Sequence, residues 1–439
     1  MLEYFLAIDI GASSGRHIVG RWDGDKIETD EVYRFPTGVC RKDGCLEWDI
    51  DRLFECVVLG IREAFTKHPG IKCLAIDTWA VDYVLMDAEN RPIKPCYAYR
   101  DLRTEKVIDE VHSIVPFETL YKKTGIQFQP FNTIYQLYAD KKAGRLDKAA
   151  SLLMLPEYLV YRLTGERRRE YTNATATGLL STETGDYDRD ITDALGLPER
   201  FFETPVAPGT PAGTLKKGIA EYVGGNCRVA MCATHDTASS VEGMDIEGDN
   251  PYISSGTWSL LGLKVPRAIT TDESLKANFT NEGGVGYIRY QKNIMGMWII
   301  NELKRDICPF LSFPEIVALA KASSFEETVD VNSETFLSPQ NMKKAFDDTL
   351  TQKPSCVGDY FRCATLSLAQ GYKKALEELS ANTGKTFDRL FIYGGGAKNT
   401  LLNEMTQDVC GIQVVPRPVE ASALGNLKVQ MRAYYRNRR

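Results

Sequence analysis

No apolar run reaches the length of about 18 residues that a membrane-crossing helix needs, so no transmembrane segment is expected. The opening stretch "MLEYFLAIDIG" has no basic segment and no small-residue cleavage site, which argues against a secretory leader. None of the eleven cysteines forms a C-x-x-C pair; the tightest spacings are Cys40/Cys45 and Cys227/Cys232. That pattern excludes a zinc ribbon and disfavours a disulfide framework, and reduced thiols in a cytoplasmic protein are expected. Positive charge is not in excess either: 53 Lys and Arg stand against 59 Asp and Glu, a net charge of −6. No broad basic field points to nucleic acid or to an anionic membrane. The one Arg-rich stretch, "GERRRE" (165–170), is balanced by Glu166 and Glu170 and reads as a solvated turn.

Three catalytic signatures are also missing. There is no G-x-x-x-x-G-K-[ST] loop, no G-x-G-x-x-G fingerprint and no G-x-S-x-G elbow, which sets aside P-loop, dinucleotide-binding and serine-hydrolase readings. What remains is a chain of 439 residues, 43% hydrophobic, long enough for two or three domains with their own cores. Apolar β-branched runs alternate with helical stretches. Residues 4–10, 17–22 and 73–86 read as strands, 51–68 as a helix ending before Pro69-Gly70, and 151–165 as a helix ending in glycine. This alternation predicts an α/β architecture. An acidic, Gly-containing break at 241–251 marks a boundary between residues 1–243 and 244–439. Both halves open alike, with an apolar strand, a small-residue turn and a second strand (5–20 and 252–263).

The small-residue turns carry the candidate chemistry. In "DIGASSGR" (9–16) a strand-end Asp9 precedes Gly11, Ala12, Ser13, Ser14, Gly15 and Arg16, where backbone N–H groups and hydroxyls can approach phosphate oxygens. Asp9 could hold a hydrated Mg²⁺, which usually takes one or two carboxylates plus phosphate. "SSGTW" (254–258) is a second such turn, and "YGGGAKN" (393–399) places three costly glycines between a strand and a helix. Each also reads as an ordinary turn. Asp77, Trp79 and Asp82 interrupt an apolar strand or strand pair, where acidic groups are disfavoured unless paired or functional. Trp79 offers a flat face to a sugar ring. Asn281, Glu282 and Asn293 flank an apolar helix, and "THDTAS" (234–239) puts His235 and Asp236 where a strand meets a helix. Adjacent side chains diverge, so metal chelation by that pair is disfavoured. Asp236 is either a helix cap or a general base held ionised by the positive helix end.

Taken together, "DIGASSGR", "IDTWAVDYVL", "YRD", "TGIQFQPFNTIYQL", "YTNATATGLL", "THDTAS", "SSGTWSL", "KNIMGMW", "GGGAKNTLLN" and "VEASALGN" run in order from residue 5 to 426. The set resembles the rhamnulokinase branch of the FGGY carbohydrate kinases. The resemblance implies two ribonuclease-H-like (actin-type) lobes around a cleft, with the N-terminal lobe binding sugar and phosphate and the C-terminal lobe binding nucleotide. It implies transfer of the γ-phosphate of ATP, with Mg²⁺, to the 1-hydroxyl of L-rhamnulose. Asp236 would be the base, and Trp79, Ala80, His235, Thr237 and Asn293 would line the sugar site. Ala12, Ser13, Ser14, Gly15, Arg16, Thr257, Asn301, Gly394, Gly395 and Gly396 would contact ATP, and Asp9 the metal. Two positions depart from the family's usual residues: Ala80 stands where Gly is common and Asn301 where a longer Gln is common.

Overall fold

The computed structural model describes residues 2–417 and 420–436, so Val419 of the last quoted motif lies outside the described residues. The chain opens with three antiparallel strands, β1 (Glu3–Ile10), β2 (Ser14–Trp22) and β3 (Ile27–Pro36). A small hairpin follows, β4 (Val39–Lys42) and β5 (Cys45–Trp48), and then α1 (Ile50–Lys67). Asp49 caps α1 by accepting from the Arg52 N–H, and Leu53, Val57, Ile61 and Ala64 form its buried stripe. β6 (Cys73–Thr78) returns parallel to β1 and is buried throughout, as a strand covered on both faces must be. The apolar run then leaves the sheet: β7 (Tyr83–Met86) pairs with β8 (Ser151–Met154).

Residues 151–165 are therefore not one helix. Their first four residues are β8, and α2 (Leu155–Thr164) begins only at Leu155, with Pro156 in its first turn and Gly165 as a left-handed cap. Proline has no N–H to donate and is tolerated only in a first turn, so the helix cannot extend further back. β9 (Pro211–Thr214) and β10 (Arg228–Ala230) complete a six-stranded sheet in the order β3-β2-β1-β6-β10-β9.

After α3 (Asp236–Gly243) comes the second sheet. Its strands are β11 (Tyr252–Ser255), β12 (Trp258–Val265), β13 (Thr280–Gly283), β14 (Ile288–Met295), β15 (Arg389–Tyr393) and β16 (Gln413–Arg417). The helices of this half include α4 (Trp298–Ile307), α5 (Val357–Thr383) and α6 (Thr400–Cys410), and the last described helix is α7 (Ala421–Arg436). The order is β13-β14-β12-β11-β15-β16. Each sheet thus has an antiparallel meander (β1-β2-β3, β11-β12-β14) continued by two parallel strands (β6-β10, β15-β16). The matching hairpins seen in the sequence occupy equivalent places in two equivalent sheets.

Between the sheets lie α3 and α7. Although α7 is last in the chain, Leu427, Met431 and Tyr434 pack on Phe5, Ala7 and Cys73 of the first sheet. Val241 and Met244 pack on Tyr252, Phe391 and Tyr393 of the second. The helices meet backbone to backbone at glycine: a Cβ on Gly425 would lie 1.7 Å from the Ser239 carbonyl oxygen, and one on Gly243 1.9 Å from that of Ala421. Among the described residues no helix is long and apolar enough to cross a membrane.

His17 on β2 is fully buried, bonded through Nε2 to the Val57 carbonyl at 3.0 Å and lying flat on Gly60 of α1. Burial depresses its pKa from 6.5 to about 4. The unfolded chain therefore binds a proton there first, and stability falls as the pH drops from 6.5 towards 4. We expect this group to cost about 2 kcal/mol at pH 5 relative to pH 7. The check is the difference between wild type and His17→Gln in denaturant unfolding at the two pH values; a pH-independent difference would remove the effect.

Candidate active site

The cleft is built from strand ends that the register brings together. Asp9 lies opposite Arg16 across β1–β2 and beside Asp77 across β1–β6, and Thr78 bridges to His235, the residue before Asp236. Asp9, Asp77 and Asp236 therefore converge at the ends of adjacent strands. Asp9 is 5% exposed and accepts from Arg16 Nη2 at 2.7 Å. Asp77 is fully buried and accepts from Asn426 Nδ2 of α7 at 2.5 Å, while its Oδ1 has no partner. Burial pushes the carboxyl groups of Asp9 and Asp77 up, and the Asp9 charge pushes Asp77 further. Burial, then Asp9, raises Asp236 to about 7, against the Thr237 N–H and Arg289, which favour its ionised form. Desolvation and neighbouring negative charge thus work against the positive helix end expected to hold Asp236 ionised.

A cavity of about 310 Å³ opens one helical turn below Asp236, lined by Ser240, Arg16, Ser254 to Gly256, Gly394, Gly395, Lys398 and Glu420 to Ser422. Ser240 and Asp236 are four residues apart and share a face of α3, although Asp236 does not itself line the cavity. Of the first hairpin only Arg16 reaches it, of the second Ser254 to Gly256, and of the triplet Gly394 and Gly395; Ala12 to Gly15, Thr257, Asn301 and Gly396 are not among its lining residues. Arg16 spans it from Asp9 to an ion pair with Glu420. Ser255, Lys398 and Glu420 in its wall lie within motifs marked in the sequence but were not named as site residues, and Ser240 lies outside those motifs.

The three glycines differ in role. A Cβ on Gly396 would lie 1.9 Å from Ser255 Oγ and one on Gly394, at φ 87, 2.7 Å from the Ser255 carbonyl oxygen. Both are small because of β11. Gly395 meets nothing within 4 Å and faces the cavity. We expect Gly396→Ala to displace β11 and lower the unfolding free energy by about 1–3 kcal/mol, a cost typical of overpacking, with Gly395→Ala milder. Equal unfolding free energies for wild type and Gly396→Ala would contradict this. Gly15 is likewise set by packing, since a Cβ there would run into the Phe35 ring at 2.1 Å. Ala12 and Ser14 are half-buried and Ser13 exposed in the β1–β2 turn, which Thr37 ties by donating to the Gly11 and Ser13 carbonyls. Thr257 is exposed in the β11–β12 turn, and Asn301 is exposed one turn into α4.

Beyond β6 the chain makes a strained turn: Val81, a β-branched residue, sits at φ 70. Thr133 Oγ1 at 2.8 Å and Gln136 Nε2 at 3.2 Å donate to its carbonyl. Trp79 is 7% exposed, with its ring centroid 4.2 Å from that of Trp48. Asp82 is fully buried, accepting from Trp48 Nε1 (2.6 Å), Trp79 Nε1 (2.9 Å) and Gln136 Nε2 (3.1 Å). Asp82 thus locks the two indoles and does not face the cleft. Ala80 sits with Val81, Ala176 and Phe131 in a small apolar cluster. Asn293 is on β14 and Asn281 and Glu282 are on β13, so none of the three caps a helix; Asn281 instead holds the Gly125 and Ile269 backbone.

The stretch 165–170 is the plainest correction. Arg169 and Glu170 are buried, at 2% and 0% exposure, and not solvated. Glu170 accepts five hydrogen bonds, from the N–H and hydroxyl of Thr172, the N–H of Asn173, and the N–H and hydroxyl of Thr234. It thereby pins the turn that delivers His235 and Asp236. Balanced charge in sequence says nothing about whether the partners are water or distant backbone.

Two lobes of one topology, a cavity of small residues and glycines between them, and a buried carboxylate one helical turn from its wall define an actin-type, ribonuclease-H-like phosphotransferase. The sequence profiles for the N-terminal and C-terminal domains of the FGGY family of carbohydrate kinases match residues 4–243 and 251–434. The chain belongs to the FGGY family of carbohydrate kinases, and it is a carbohydrate kinase. It is 43% identical to a rhamnulokinase of Halalkalibacterium halodurans over 98% of this chain and 94% of the relative. It is 40% identical to one of Bacillus subtilis over 97% and 90%. The fold matches a ligand-bound xylulose kinase of Lactobacillus acidophilus with a TM-score of 0.84 at 15% identity, covering 100% of this chain and 90% of that one. A Plasmodium falciparum glycerol kinase with ADP matches with a TM-score of 0.80 at 16% identity, over 98% and 90%.

Proposed function

We propose that this kinase transfers the γ-phosphate of ATP to the 1-hydroxyl of L-rhamnulose, giving L-rhamnulose 1-phosphate and ADP. The substrate rests on one observation, the match over nearly the whole chain to proteins named rhamnulokinase. In this reading residues 1–243 bind sugar and phosphate and residues 244–439 bind nucleotide, with α7 reaching back to the first sheet. Asp236 accepts the proton of the attacking hydroxyl; the oxygen forms its bond to the γ-phosphorus as the bond to ADP breaks. A pKa near 7 suits that role, because a general base works best close to the operating pH. His235 and Thr237 flank the sugar, with Ala80, Asn293 and the Trp79 segment around it. The turn 12–16 and Thr257 cradle phosphates from opposite hairpins, Asn301 lies near the nucleotide, and Gly394 to Gly396 lie against the adenosine.

Among the described residues no group of three or more His, Cys, Asp or Glu is placed to hold a metal ion. Mg²⁺ needs fewer, and the hard carboxylate oxygens of Asp9, beside the unpartnered Asp77 Oδ1, fit it. When bound with ATP, the ion neutralises charge on the transferring phosphoryl group. Arg16, already paired to Asp9, adds positive charge at the same point. The test is ADP release measured over a panel of L-rhamnulose, L-fuculose, xylulose and related polyols. A higher kcat/KM for any of the others overturns the substrate assignment.

A further inference from the structure

Arg289 of β14 is fully buried and crosses from the second sheet to the start of α3. Its Nε donates to the Gly283 carbonyl at 2.9 Å and its Nη1 to Thr237 Oγ1 at 2.6 Å. Its Nη2 donates to Glu282 Oε2 at 3.0 Å and lies 3.1 Å from His235 Nδ1. His235 Nε2 in turn lies 2.9 Å from Thr237 Oγ1. A guanidinium has only donors, so the ring nitrogen facing it must offer a lone pair. The other tautomer would set two N–H groups against each other at 3.1 Å in order to reach Glu282 Oε2 at 3.4 Å. The proton of His235 therefore sits on Nε2 and is donated to Thr237 Oγ1. That hydroxyl oxygen then accepts twice, from His235 and from Arg289, and its own proton is left to point into the cleft.

We propose that Arg289 is a positioning residue that fixes the His235 tautomer and makes the Thr237 hydroxyl an obligate donor to an oxygen of the bound sugar. This rests on the placement of the sugar beside Asp236. An orientation fixed in this way costs nothing at the moment of binding, since neither the imidazole nor the hydroxyl has to choose between donor and acceptor roles. It also ties sugar recognition to the second sheet, because the group that sets the donor comes from β14 while the donor is on α3.

The four histidines make the proton directly observable. Long-range ¹H–¹⁵N spectra of the uniformly labelled protein, with the His235 signal identified by its loss in His235→Gln, should show Nδ1 unprotonated and Nε2 protonated. A protonated Nδ1 in the wild-type protein overturns the proposal, whatever sugar the enzyme prefers. In steady-state kinetics with the best ketose of the panel, Thr237→Val should raise the sugar KM roughly tenfold or more, as loss of a buried hydrogen bond does, with the ATP KM unchanged. Thr237→Ser, which keeps the hydroxyl, should recover most of it. Arg289→Met should mix the His235 tautomers and raise the sugar KM as Thr237→Val does. Equal KM values for Thr237→Val and wild type, or a folded Arg289→Met with an unaltered tautomer, would also overturn it. A sugar other than L-rhamnulose as best substrate would change the proposed function and leave the tautomer result standing.

Discussion

Asp236→Asn should lower kcat at least about 100-fold, the usual contribution of a general base, while ATP binding stays near wild type. Asparagine keeps the shape and can still accept from the Thr237 N–H, so a loss of rate without a loss of fold isolates the proton transfer. Wild-type kcat/KM should fall as the pH drops below about 7, because burial and Asp9 raise the carboxyl to that point and only its ionised form accepts a proton. In Asp236→Asn that acidic limb should vanish from the residual activity. Turnover by Asp236→Asn within a few-fold of wild type would remove this residue from the role.

The second large effect concerns a residue that touches no substrate. Glu170→Ala strips five acceptor contacts from Thr172, Asn173 and Thr234, in a site with no exposure. Each buried donor left unpaired costs about 1–3 kcal/mol, so a loss of about 3 kcal/mol or more in unfolding free energy is expected. Because Thr234 leads directly into His235 and Asp236, kcat should fall even at temperatures where the variant is fully folded. Glu170→Gln retains one acceptor oxygen and should be intermediate in both. A destabilised Glu170→Ala with undiminished kcat would make the residue a purely structural anchor.

Glycine placement shows how far sequence reasoning extends. Three consecutive glycines between a strand and a helix point to a close approach, but not to which approach. Gly394 and Gly396 yield to Ser255 of β11, Gly15 yields to Phe35, and of the triplet Gly394 and Gly395 line the cavity while Gly396 does not. Gly243 lies in the acidic break at 241–251 and Gly425 in the "VEASALGN" motif, but neither reads locally as a helix crossing, and together they allow α3 and α7 to cross with their backbones in contact. Helix crossings of this kind depend on residues 182 positions apart, and nothing local marks them.

By itself the sequence determined the local elements and their chemistry. The paired hairpins of β1–β2 and β11–β12, the helix α1 and the strand–glycine–helix of β15 and α6 follow from side-chain period and turn residues within a few positions. So does the collinear set of short motifs that marks a carbohydrate kinase. Only the tertiary structure decided which of those residues meet. Glu170 reaches Thr234 across 64 residues, Arg289 reaches Thr237 across 52, and Asn426 reaches Asp77 across 349. Burial of charge is set by those distant partners, and the raised pKa of Asp236 by its burial and by Asp9, 227 residues away. They are properties of proximity in space, and the order of residues along a chain does not encode them locally.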